Sequence, residues 1–81
     1  MLTLQHFLLR PKALALYREA IRATRGIPDV ATRRETIAWI RSEFERNRGE
    51  QDIERIRTLI RSGRRDLASF LPAIRHSNPL R

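Results

Sequence analysis

Seventeen of the 81 residues are cationic, and all but Lys12 of them are arginine. An arginine presents a planar, two-pronged donor that matches carboxylates and phosphates, which a lysine ammonium does not. Their spacing is helical. Arg18, Arg22 and Arg25 fall at i, i+4 and i+7, and Arg57, Arg61 and Arg64 or Arg65 repeat that pattern later. Like charges at i, i+4 cost a few tenths of a kcal/mol in an isolated helix, a penalty that an anionic partner offsets. With nine carboxylates the formal net charge is +8, so nucleic acid, an anionic membrane surface and an acidic protein are the natural partners.

Other chemistry is thinly represented. His6 and His76 stand at opposite ends, and no HxxE, HxxxH or carboxylate cluster accompanies either, so no metal site is expected. Ser42, Ser62, Ser69 and Ser77 have no histidine at helical spacing to activate them. Three isolated glycines make no phosphate loop, and the absence of cysteine removes disulfides and thiolate ligands. These residue types point away from catalysis and towards binding.

The elements that must position the arginines follow from punctuation. Gly26–Pro28 and Gly49 divide the chain into three helical segments. In the first, Leu14, Tyr17, Ile21 and Thr24 form an inward stripe widened by Ala13, Leu16 and Ala20. Pro11 fits a first turn better than a helix interior, so a short N-terminal turn over Thr3–Arg10 is expected before a main helix that stops at Gly26. Thr32-Arg-Arg-Glu35 reads as a capping box opening the second helix, whose core stripe is Ile37, Ile40 and Phe44. Arg41 with Glu45 and Glu43 with Arg46 are expected surface pairs. The third helix starts near Glu50–Asp52, runs through Ile53, Ile56, Ile60, Gly63, Leu67, Phe70 and Ile74 with a weak point at Gly63, and ends near Pro72 or slightly beyond. The expectation is one all-α domain over residues 1–81, an antiparallel three-helix bundle with a flexible tail from Arg75 to Arg81. No apolar run approaches the roughly 20 residues of a bilayer span.

Nucleic acid is the weaker partner on these residues, because aromatics make up only 6% and none interleave with a basic patch. Tyr17 supplies the sharper clue. It lies on the core stripe with its hydroxyl at the rim, and Arg18 follows about 100° further round. Leu16-Tyr17-Arg18 early in the first helix, Phe44 preceded by Arg41 and followed by Arg46, and Gly63 followed by Leu67 together resemble the LYR-motif family of small mitochondrial proteins. Leu2-Thr-Leu4-x-x-Phe7 and Arg41-Ser-Glu-Phe44-Glu-Arg-Asn47 extend the likeness to one subgroup, and it covers Leu2 to Leu71.

That resemblance implies a non-catalytic mitochondrial matrix adaptor. Its partner would be the acidic mitochondrial acyl carrier protein, which itself supplies an acyl-4′-phosphopantetheine, so no cofactor is bound directly. The pair would serve a larger client, respiratory complex I or a mitochondrial ribosome, as assembly factor or accessory subunit; a basic ribonucleoprotein component is the alternative. Carried onto this sequence, Tyr17 and Arg18 would stand at the mouth of an acyl tunnel near the phosphopantetheine. Arg22, Arg41, Phe44, Arg46 and Arg48 would contact the carrier. Leu14, Tyr17, Ile21, Ile37, Ile40, Phe44, Ile56, Ile60 and Gly63 would line the tunnel, although the same residues would form the core of any three-helix bundle. Import would rest on Arg10 and Lys12, which follow the apolar Leu2–Leu9 stretch with no carboxylate before Glu19.

Overall fold

Each helix begins where a side chain captures the free N–H groups of its first turn. In the computed structural model, which describes the backbone of residues 2–76 and the side chains of residues 2–69, α1 spans Leu4–Ala23, α2 Val30–Arg46 and α3 Ile53–His76. The chain is all-α, with three helices and no strand among the described residues. The expected tail falls, for residues 77–81, outside the described residues; Arg75 and His76 belong to α3.

At the start of α1, His6 Nδ1 accepts from the Thr3 N–H at 2.9 Å while its Nε2–H donates to the Gln51 carbonyl. One imidazole thus ties the beginning of α1 to the loop before α3. The start of α2 is not where the capping-box spacing put it. Asp29 is the cap, accepting from the Thr32 hydroxyl at 2.7 Å and the Thr32 N–H at 2.8 Å, and the helix begins at Val30. An aspartate one turn earlier outcompetes Thr32, whose own side chain is then spent on Asp29. Those bonds, the hydroxyl's foremost, hold the Asp29 carboxyl below its ordinary value. Asp52 opens α3 by accepting from the N–H groups of Glu54 and Arg55.

Two further expectations change. The separate N-terminal turn is absent: α1 runs unbroken through Pro11. The ring removes one donor, but Leu9 and Leu16, at i and i+7 on one stripe, are both buried and hold the helix across it. Nor does Gly26 stop α1 in a left-handed conformation, since no glycine among the described residues has positive φ. The helix instead tightens into a 3-10 turn over Thr24–Gly26, and Ile27, which precedes Pro28, takes extended geometry.

Partners on α1 and α3 climb in number together, His6 with Gln51, Leu16 with Gly63 and Glu19 with Arg64. These two helices therefore run parallel, with α2 returning between them in sequence. Both α2 and α3 rest on α1, yet among the described residues no Cα of α2 comes within 8 Å of one in α3. The consequence is a small core. Among the described residues Leu9, Leu16, Ile27 and Ile40 are the buried apolar ones, and Thr24 is buried too, its hydroxyl donating to the Ile21 carbonyl.

Candidate anion-binding recess

Successive residues of a helix point about 100° apart, so three in a row can serve three different surfaces. Leu16, Tyr17 and Arg18 do this. Leu16 is 4% exposed and seated on Gly63 of α3, so close that a Cβ there would stand 2.6 Å from its Cδ2. Tyr17 turns to α2 and meets Phe44 edge to face, with ring centroids 5.0 Å apart and planes at 72°. Arg18 turns outward. The Tyr17 hydroxyl accepts a hydrogen bond from Arg41 Nε at 3.3 Å, which draws a guanidinium of α2 over the C-terminal half of α1.

The result is a recess of about 290 Å³ lined by Tyr17, Arg18, Ile21, Arg22, Arg25 and Arg41. Four guanidiniums share it and no carboxylate does. Among the described residues none of the four has an acidic partner within 4.0 Å. Uncompensated like charges at one surface raise the local potential and favour an anion there, with bidentate bonds available to a phosphate or a carboxylate. The recess contains no nucleophile paired with a base. Its donor set suits an anion.

Tyr17, Arg18, Arg22 and Arg41 from the sequence-expected set come together here, and Phe44 supports them through Tyr17. Arg46 and Arg48 do not join them. Arg46 grips both oxygens of Glu43 at 2.6 and 2.7 Å, and Arg48 lies 3.4 Å from Glu45. The expected pair of Arg41 with Glu45 is absent because Arg41 is drawn to Tyr17. Arg25 completes the recess; its place at i+7 from Arg18 was visible in the arginine stripe, though not its convergence with Arg41.

Of the residues expected to line a tunnel, Ile40 is buried, while Tyr17, Ile21, Ile37, Phe44, Ile56, Ile60 and Gly63 are half-buried. Leu14 departs from the set: it is 45% exposed, because the packed stripe of α1 centres on Leu9 and Leu16 and leaves Leu14 outside. The room at Gly63 is taken by Leu16. A second recess of about 230 Å³, lined by Glu19, Arg22, Ala23 and Leu67, lies between α1 and α3.

Residues 11–69 match the family model described as Complex 1 protein (LYR family). Among curated proteins the chain is similar to LYR motif-containing protein 2 of Xenopus tropicalis, 46% identical over 73 residues, which is 90% of this chain and 84% of that protein. The Xenopus laevis protein of the same name is 42% identical over the same shares, and that of Mus musculus 38% identical over 66 residues, 82% of this chain and 75% of the relative. No solved structure matches the chain significantly.

Proposed function

The chain belongs to the LYR family of complex 1 proteins, and from that premise we propose that it is a non-catalytic adaptor of the mitochondrial matrix that captures the acylated acyl carrier protein. The observation that carries this reading is the convergence of Arg18, Arg22, Arg25 and Arg41 on one recess without acidic partners of their own. An acidic carrier helix and a phosphodiester both suit that donor set. The 4′-phosphopantetheine phosphate would sit against Tyr17, Arg18 and Arg41, with Arg22 and Arg25 turned to carrier carboxylates. Arg46 and Arg48 would join only by exchanging Glu43 and Glu45 for carrier groups, so they contribute less.

The attached acyl chain would enter the seam between α2 and α3, where Ile37, Phe44, Ile56 and Ile60 remain half-buried. Because those two helices do not pack backbone to backbone, α2 can yield there while α1 and α3 stay joined through Leu16 and Gly63. Each methylene buried in the seam contributes about 0.8 kcal/mol. The pair would then act as assembly factor or accessory subunit of a respiratory complex, with complex I favoured in keeping with the family description Complex 1 protein.

The test is a pull-down of acylated carrier by the full chain. Tyr17→Ala with Arg18→Ala is expected to abolish capture, since charge-assisted hydrogen bonds are worth about 1.5–3 kcal/mol each. Undiminished capture by that double variant would sink the site assignment. Wild-type capture is also expected to weaken steadily with added salt.

A further inference from the structure

α1 is apolar on two faces, and its packing against α3 occupies only one. The opposite face, centred on Pro11, carries Leu4, Phe7 and Leu8 in the preceding two turns and Leu14 in the next. These residues are 70%, 71%, 55% and 45% exposed, whereas four apolar residues are buried among the described residues. An apolar strip of this kind on a helix surface marks an interaction site rather than chance exposure.

The charges around the strip identify what covers it. Arg10 and Lys12 are the residues on either side of Pro11, so they project about 100° to each flank of the strip. Neither has an acidic partner among the described residues, and no carboxylate precedes Glu19. A helix with Leu and Phe on one sector and cations at both of its margins is built to lie in a membrane interface, apolar side down and cations reaching to the headgroups. A second copy of this chain would set two cationic margins against each other on molecules that each carry +8, which disfavours self-pairing.

We propose that the outward face of the first half of α1 docks on an anionic lipid bilayer, with Leu4, Phe7, Leu8 and Leu14 in the acyl boundary and Arg10 and Lys12 on lipid phosphates. No helix among the described residues is long and apolar enough to cross a membrane, so the contact is peripheral. The face points away from α3 and does not depend on the carrier reading.

Co-sedimentation of the full chain with phosphatidylcholine vesicles, with and without about 30% phosphatidylglycerol, tests this. Binding is expected only with the anionic lipid. Phe7→Ser with Leu8→Ser, both exposed and outside the core, is expected to weaken partitioning by about tenfold while circular dichroism stays unchanged. Arg10→Gln with Lys12→Gln should weaken it as strongly, and Arg61→Gln with Arg65→Gln, which removes the same charge from α3, should weaken it far less. Equal losses for both charge pairs with none for Phe7→Ser/Leu8→Ser would mean general attraction of a +8 protein and overturns the proposal. So does failure to bind anionic vesicles, including the case in which Phe7 and Leu8 are instead needed to hold a protein.

Discussion

Leu16 and Gly63 meet closely between α1 and α3, and each is explained by the other. An alanine at position 63 would put its Cβ 2.6 Å from Leu16 Cδ2, inside any real contact distance. Gly63→Ala gains about 1 kcal/mol of helix propensity, but displacing a buried leucine costs about 1–3 kcal/mol. The expected outcome in urea denaturation is a net loss of stability. In a Leu16→Ala background, itself about 2–5 kcal/mol less stable, the same Gly63→Ala change should turn neutral or stabilising. Gly63 was legible in the sequence as a missing side chain, but not what fills the space, because nothing in local spacing says which leucine of another helix arrives there. Tyr17 and Arg18 were legible as neighbours on a rim. Their partners were less so: Arg41 read as a surface partner of Glu45, and only the three-dimensional approach of α2 to Tyr17 shows why it leaves that carboxylate.

The boundaries of the elements follow local chemistry more closely than their periodicity does. Three helices and both breaks were readable from glycines, prolines and apolar spacing. The spacing pointed to Thr32 and not to Asp29, because a capping box has a sequence signature and a lone aspartate does not. The hydrogen-bonded Asp29 carboxylate has a folded pKa below 3.8, so its stabilising effect is fully present above that unfolded value and is lost as pH falls through the lower folded one. Asp29→Ala should therefore lower Tm at pH 7, and the gap from wild type should close in acid as pH drops below 3.8. A gap that persists unchanged at the lowest pH would contradict the cap. Pro11 misled in the other direction, since tertiary burial of Leu9 and Leu16 carries α1 through it. Pro11→Ala restores the missing hydrogen bond on an exposed face and is expected to raise stability by about 1–3 kcal/mol in thermal unfolding.

At the scale of the whole molecule the two halves of α1 present different surfaces. Arginines without an acidic partner among the described residues gather at the C-terminal half of α1 beside α2, exposed apolar side chains gather at its N-terminal half flanked by Arg10 and Lys12, and no Cα of α2 comes within 8 Å of one in α3 among the described residues. With so few side chains buried among the described residues, little margin over chain entropy is expected, so the isolated chain is predicted to be marginally stable. A ligand that binds only the folded form adds stability by mass action, so acylated carrier should raise Tm in a concentration-dependent way and carrier without its acyl chain should raise it less. What the sequence could not convey at this scale is the seam, because the apolar periodicity of α2 and α3 is the same whether they close on each other or only on α1. The most direct test of capture is native intact-mass measurement of the full chain co-expressed with acyl carrier protein. A one-to-one complex is predicted, whose carrier retains an acyl-4′-phosphopantetheine and which Arg18→Glu with Arg22→Glu dissociates. Recovery of the chain alone, or of a complex indifferent to both the acyl group and those arginines, would contradict it.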